Sequence, residues 1–269
     1  MTRGIVLFAH NNEVTDYYQM AVATAKRIHR FLDLPVTIIT DEETLASTKA
    51  SVEGIFDRTI LIEPDKDNQI NKKKWYNKGR YQIYDLTPYD DTIVLDTDYM
   101  VNSTALLRVF EQPGDIQCYR DSKYMFGLEM ETEQISPVSF GCYWATVIRF
   151  KKTQKVADVF RMLKRVQHNY DYYAELHQFL GVTYRNDYAL TFAMRTINGH
   201  IENPQDFITG SLIHIGKLVK VTRVDDTTYD LQATRKNSSG KEKTHRIRVK
   251  DFDFHMLSKE NFMELVENE

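Results

Sequence analysis

Apolar residues fall along the first hundred positions of this chain in two alternating rhythms. Ile5 to Phe8 is a continuous apolar run, which predicts a strand buried on both faces. Tyr18, Ala21, Val22, Ala25, Ile28 and Leu32 then recur at the spacing of one helix face, and Pro35 closes that helix. VTIIT (36–40), TILIE (59–63) and TIVLD (92–96) repeat the buried-strand pattern, and NKGRYQIYDL (77–86) predicts a helix between the last two. Strands alternating with helices in this way predict an α/β sheet, mostly parallel, with right-handed crossovers.

Beyond residue 100 the rhythm changes. SFGCYWATVIRF (139–150) predicts a long strand, and Val156, Val159, Phe160, Leu163, Val166 and Tyr170 form the stripe of one helix. Leu190, Ala193, Met194 and Ile197 mark a second helix. SLIHIGKLVKVTRV (211–224) and TYDLQATRK (228–236) predict paired strands. NSSGKEK turns into a further strand, HRIRVKDFDF (245–254). SKENFMELVENE closes the chain as a helix with Ser258 at its N-cap. The expected architecture is α/β: a mixed sheet flanked by helices, with a basic β-hairpin added near the C-terminus. No repeat or linker interrupts it, so residues 1–269 are expected to form one composite domain.

Composition narrows the class. The chain has 269 residues, 42% hydrophobic and 27% charged, which excludes collagen-like, disordered and disulfide-scaffold proteins. A net charge of −3 points to no polyanionic partner for the molecule as a whole. Two segments depart from that balance. Lys72, Lys73, Lys74, Lys78 and Arg80 interleave with Trp75 and Tyr76, and residues 211–250 carry ten Lys and Arg against four acids. Basic segments with nearby aromatics can grip a nucleic-acid backbone; lysine on an edge strand also guards against aggregation. Only Cys118 and Cys142 occur, so a reducing compartment is the default. MTRGIVLFAH lacks a secretory signal, and no run reaches the ~20 apolar residues of a membrane span. The expectation is a cytoplasmic protein without a membrane partner.

The sharpest chemical feature is DDTIVLDTDYMV (90–101). Asp96 and Asp98 stand two apart where an apolar strand ends, the edge at which open α/β sheets bind ligands. Paired carboxylates there suit Mn²⁺ or Mg²⁺; a solvated turn is the plainer alternative. Neither G-x-G-x-x-G nor G-x-x-x-x-G-K occurs, which argues against dinucleotide enzymes and P-loop NTPases.

The segment YDLTPYDDTIVLDTD resembles nucleotide-sugar glycosyltransferases of the GT-A fold, a Rossmann-like sheet, and among them the glycogenin-like and bacterial galactosyltransferase-like group. In that group a basic segment leads through an LP-x-x-D turn into a hydrophobic strand ending in D-x-D. Asn77–Arg80, then Leu86, Thr87, Pro88 and Asp90 or Asp91, then Leu95, Asp96, Thr97 and Asp98 hold those places here. The resemblance implies that residues 1–100 form a nucleotide-binding half and 101–269 an acceptor-binding half. It further implies that Asp96 and Asp98 hold a divalent metal on the diphosphate of a UDP-sugar. A late histidine completes the metal site in similar enzymes, followed by a phosphate-contacting lysine. By position these are His255 and Lys259, although HMLSK lacks the family's glycine; His214, in HIGK, is the rival for the third ligand.

The same resemblance implies further site residues. Ala9, His10, Asn11 and Asp41 end the first two strands, where uracil and ribose are cradled, with Thr97 in the motif itself. Lys78 and Arg80 would add cations on the diphosphate. Asp187, in RNDYAL, is either the N-cap of its helix or the counterpart of an acid that approaches the transferred sugar, with Arg185 and Asn186 beside it. Trp144, Ala145 and Thr146 occupy the place of a segment that faces donor or acceptor. The acidic run GLEMETEQ (127–134) could reach the site as well, although a solvated loop is the plainer reading. The lack of an anchor and the RNDYA phrase also resemble glycosyltransferases of tailed phages, some of which modify hydroxymethylated bases in DNA. That implies a DNA acceptor held by residues 72–80 and 217–250, and a host-cytoplasmic location.

The expected function is therefore metal-dependent sugar transfer from a UDP-sugar to an acceptor hydroxyl, with Arg80 assisting; an inverting reaction would need a general base, for which Asp187 is the candidate, whereas the retaining enzymes that the chain most resembles need none. The donor sugar and the stereochemistry stay open. A nucleotidyltransferase acting on sugar phosphates is one alternative, although AHNNEVTDYY lacks its glycine-rich basic loop. A non-catalytic nucleic-acid-binding module is the other.

Overall fold

A computed structural model describes residues 1–50, 54–63, 69–70, 73–74, 76–126, 130–131, 133–236 and 241–266. Six strands form the main sheet: β1 (Arg3–Phe8), β2 (Val36–Thr40), β3 (Arg58–Leu61), β6 (Asp91–Leu95), β8 (Ile116–Tyr119) and β11 (Trp144–Lys151). Their order is β3-β2-β1-β6-β11-β8. The first four run parallel, whereas β11 is antiparallel to both β6 and β8. The sheet is therefore mixed, with its parallel half in the first hundred residues.

Five shorter strands make a second sheet: β7 (Tyr99–Met100), β9 (Asp121–Tyr124), β10 (Met130–Glu131), β12 (Ser211–Ile215) and β16 (Phe254–Met256), in the order β10-β9-β12-β16-β7. Three more, β13 (Lys220–Arg223), β14 (Thr228–Lys236) and β15 (Glu242–Lys250), form an antiparallel meander. The pair β4 (Gln69–Ile70) and β5 (Lys73–Lys74) stands apart.

The helices are α1 (Tyr17–Leu32), α2 (Glu42–Ser47), α3 (Ile83–Leu86), α4 (Ala105–Val109), α5 (Gln154–His168), α6 (Tyr170–Leu176), α7 (Asn186–Ile197) and α8 (Lys259–Val266). Strand alternation sends Ile5, Leu7, Ile38, Ile93 and Leu95 to one face of the main sheet, in one core with Tyr18, Ala21, Ala25 and Ile28 of α1. Val6, Phe8, Ile39 and Val94 face the other way, in one core with residues of α5 and α7. A third core lies under the meander, where Tyr229, Leu231 and Val249 join Phe254, Met256 and Phe262. Gly4 is required by packing: a Cβ there would lie 2.3 Å from the Tyr89 ring.

Several expected elements differ in detail. NKGRYQIYDL is a 3₁₀ stretch, Tyr76–Gln82, that passes into the single turn of α3. Residues 139–143 precede β11 rather than extend it. Tyr170 opens α6 instead of closing α5. Most consequentially, 211–224 is two strands in different sheets. Gly216 and Val219 close a turn (Val219 N–H to Gly216 O, 3.0 Å), so β12 joins β9 and β16 while β13 pairs with β14. The added hairpin is thus a three-stranded meander. As expected, Ser258 precedes α8, its Oγ accepting from Asn261 N–H at 3.3 Å.

Candidate metal site and adjoining cavity

The turn after β6 carries Asp96 and Asp98, and it is held from several sides. Asp96 N–H donates to Thr146 O of β11 at 3.0 Å, and Tyr99 N–H donates back to Asp96 O at 3.1 Å. Thr24 of α1 donates its hydroxyl to Thr97 O at 2.7 Å. Met256 N–H donates to Asp98 O at 3.0 Å, tying the turn to β16. Because β16 lies between β12 and β7, His255 sits opposite Tyr99 on one side and His214 on the other. The sheet order thereby brings a residue 157 positions after Asp98 against its carboxylate, with His255 Nε2 3.1 Å from Asp98 Oδ2.

Asp96, Asp98 and His255 each offer a ligand atom, all within 4.8 Å of one another. Two cations already attend the carboxylates: Arg80 pairs with Asp96 and Lys259 with Asp98. Burial alone would raise Asp98; His255 and Lys259 outweigh it and hold the carboxyl well below the usual range. Burial disfavours the charged forms of His255 and Lys259, yet the neighbouring Asp98 raises both above their ordinary values. Likewise Arg80, desolvated but facing Asp96, is raised. Two carboxylates and an imidazole in a cation-seeking pocket fit a divalent metal of the Mn²⁺ or Mg²⁺ kind.

A cavity of about 500 Å³ opens beside this group. Trp144, Ala145 and Thr146 of β11 line it, as do Arg185, Asn186 and Asp187 at the start of α7. Asp187 is the second residue of its helix, and the N-cap is Arg185. Its carboxylate turns away from the helix to accept Ala145 N–H at 2.8 Å, with Arg185 Nη2 3.3 Å away. The N-cap role expected of Asp187 is therefore replaced by one across the cavity. Burial raises its pKa, opposed by Arg185 and the Ala145 N–H and reinforced by Asp96. Arg80 Nη1 donates to the carbonyl of that same Ala145 at 3.3 Å.

Other expected residues lie elsewhere. Ala9, His10, Asn11 and Asp41 gather at the ends of β1 and β2 but do not line this cavity. His10 Nδ1 is 3.1 Å from Asp41 Oδ2, Asp41 caps α2, and Asn11 Oδ1 accepts from Tyr18 N–H at 3.0 Å. Burial lowers His10 despite the neighbouring Asp41. Thr97 is buried within the turn. The side chains of Lys72–Lys74, Trp75 and Lys78 lie outside the described residues. Cys118 and Cys142 are buried free thiols.

Of the acidic run 127–134, Glu133 follows the site-reaching alternative rather than the solvated loop: it lines the cavity and accepts from Arg185 at 2.7 Å. Tyr124, Tyr184 and Leu257 also line it and carried no signal in the sequence, although Tyr184 adjoins the RNDYAL run.

His214 is fully buried in the cavity wall, its Nδ1 3.0 Å from His255 Nδ1. It is not in the cluster of prospective ligands. Burial, with repulsion from His255, lowers its pKa to about 3. This has a consequence for stability. Below the ordinary histidine value of 6.5 the unfolded chain takes up protons that native His214 and His10 refuse, so stability falls as pH drops. Each contributes a slope of up to about 1.4 kcal/mol per pH unit. Asp98, lowered in the fold, adds stability above its unfolded value that is lost on further acidification. His255 acts oppositely, and its contribution, complete below 6.5, fades as pH rises through its raised folded value. With both proteins metal-free, the Tm of His214→Phe relative to wild type should therefore rise as pH falls from 6.5 to 4; a difference that does not change with pH would contradict a buried neutral His214.

No family model matches the chain, and no curated protein matches it. Solved structures do. A galactosyltransferase, LgtC, in complex with donor and acceptor sugar analogues is 17% identical, covers 71% of this chain and 70% of its own, and gives a TM-score of 0.48. Mouse xyloside xylosyltransferase 1, apo form, is 12% identical over 77% of this chain and 84% of its own, with a TM-score of 0.48. The glycosyltransferase GlyE of Streptococcus pneumoniae TIGR4 is 15% identical over 72% of this chain, with a TM-score of 0.44, and the match spans 44% of that longer protein.

Proposed function

We propose that this protein is a metal-dependent glycosyltransferase of the GT-A type that moves a sugar from a UDP-sugar to an acceptor hydroxyl. The observation that carries the reading is the convergence of Asp96, Asp98 and His255 at the carboxyl end of β6, beside a cavity wide enough for a sugar. Asp96, Asp98 and His255 would hold Mn²⁺ or Mg²⁺, which supplies electrophilic neutralisation of the departing diphosphate. Lys259 and Arg80 add positive charge at the same edge. Ala9, His10, Asn11 and Asp41 lie at the ends of the neighbouring strands, where the nucleoside would extend. Asp187 is positioned by Ala145 N–H and has a raised pKa, which suits a base that takes the proton of the attacking hydroxyl.

A DNA acceptor carrying hydroxymethylated bases is the reading favoured by the meander. The polar face of β13–β15 presents Lys220, Arg246 and Arg248 around a concavity of about 650 Å³, and Lys250 is exposed on the same face of β15. Asp230 offsets part of this charge through its pair with Arg248. Such a surface suits a phosphate backbone, and the target base would leave the stack to reach the cavity.

Incubation with UDP-sugars, Mn²⁺ and hydroxymethylated duplex DNA tests both statements. Release of UDP with label on the DNA is the expected result. Pyrophosphate release from a nucleoside triphosphate and a sugar phosphate would replace this reading with nucleotidyl transfer. UDP release without label on DNA would retain sugar transfer and remove the DNA acceptor.

A further inference from the structure

His214 and His255 occupy paired positions on β12 and β16, with their Nδ1 atoms 3.0 Å apart. Two imidazole nitrogens at that distance share one hydrogen, so one ring donates and the other accepts. The remaining nitrogen of His255, Nε2, is the one beside Asp98. A cation held there takes the Nε2 lone pair, and the hydrogen of a neutral His255 then resides on Nδ1. His214 Nδ1 must accept it, which places the hydrogen of His214 on its own Nε2.

The surroundings of His214 supply a second, independent observation. The ring is fully buried, with the Trp144 and Tyr124 rings 4.7 Å and 5.1 Å away. Its Nε2 has no hydrogen-bond partner among the described residues. Phenylalanine would fill such an aromatic slot without stranding a polar atom. The imidazole is accounted for by the one thing phenylalanine lacks, an acceptor facing His255.

We infer that His214 is a positioning residue of the metal centre. Its Nδ1 accepts the Nδ1–H of His255 and fixes the tautomer and ring orientation in which His255 presents Nε2 to a divalent cation. This rests on the metal reading given under Proposed function, and it assigns His214 no bond to the ion.

The test is calorimetric titration of Mn²⁺ alone into the wild type, His214→Phe and His214→Asn. The asparagine Oδ1 can stand where Nδ1 stood, whereas phenylalanine offers no acceptor. Mn²⁺ affinity should fall roughly 10- to 100-fold in His214→Phe and be largely restored in His214→Asn. Wild-type affinity in His214→Phe, or equal losses in both variants, would overturn the inference while leaving the metal site standing. A wild type that binds no Mn²⁺ would overturn the metal reading and the inference together. Where His214→Phe does not fold, imidazole ¹⁵N NMR of the Zn²⁺-loaded wild type decides. The inference requires a protonated Nδ1 on His255 and a protonated Nε2 on His214, and the opposite pair of tautomers refutes it.

Discussion

Replacing Asp98 with asparagine is expected to abolish Mn²⁺-dependent UDP binding and to lower kcat/KM for sugar transfer by on the order of 10³-fold or more. The carboxylate is buried, held ionised by His255 and Lys259, and grouped with Asp96 and His255. An amide keeps its shape and loses the charge that a cation needs. The fold should survive, because the bond that ties this turn to β16 uses the backbone oxygen of Asp98 rather than its side chain. Lys259 is one-third exposed and can turn to water, and His255 can become neutral. Titration of UDP with and without Mn²⁺, beside a thermal melt of each protein, checks the expectation. Undiminished metal-dependent binding in the variant would remove Asp98 from the centre. A protein that merely binds nucleic acid through its basic meander would instead keep its salt-sensitive DNA affinity and show no metal-dependent UDP binding in either form.

The parts of the site read most directly from the sequence are those that local pattern dictates. A continuous apolar run implies a strand buried on both faces, so Asp96 and Asp98 follow at its carboxyl end, and the structure places them there. His255 was reachable only through family resemblance, since its approach to Asp98 depends on β16 inserting between β7 and β12. Pairing between segments more than a hundred residues apart leaves no local trace. For the same reason 211–224 looks like one strand: its apolar residues continue past Gly216, and only the competition between two sheets divides it. Glu133 and Arg185 illustrate a second limit. Glu133 looks most simply like a solvated charge in sequence and Arg185 only like a neighbour of Asp187, and the two fix each other in the cavity wall by pairing. Asp187 looks like an N-cap because short acids favour helix starts. The available N–H of Ala145 on β11 drew its carboxylate elsewhere.

Arg149 shows the same limit in the core and carries the largest expected effect on stability. It lies within the apolar run of β11, yet its side chain is fully buried and grips Asp91 at the start of β6 with two bonds, Nε to Oδ1 at 2.6 Å and Nη2 to Oδ2 at 2.7 Å. Nη1 also donates to Gly114 O at 2.7 Å and to Gln117 Oε1 at 3.2 Å. Arg149→Met would strand the Asp91 carboxylate in the sheet, a loss of about 3–5 kcal/mol. For a chain of this size that lowers Tm by roughly 10 °C. Removing both charges, in Asp91→Asn with Arg149→Met, should cost clearly less than Arg149→Met alone, because most of the penalty belongs to the unpaired ion rather than to the lost bonds. Urea midpoints of the two single variants and the double variant would show it, and a double variant as unstable as Arg149→Met alone would assign the energy to the lost bonds instead. The pair also bears on the site. Arg149 joins β6 to β11 at the end of the ladder opposite Asp96 and Ala145, where Thr146 O receives the Asp96 N–H. At temperatures where the variants remain folded, that upper end keeps its own hydrogen bonds. Metal-dependent UDP affinity should then be unchanged, separating what holds the sheet together from what holds the ligand.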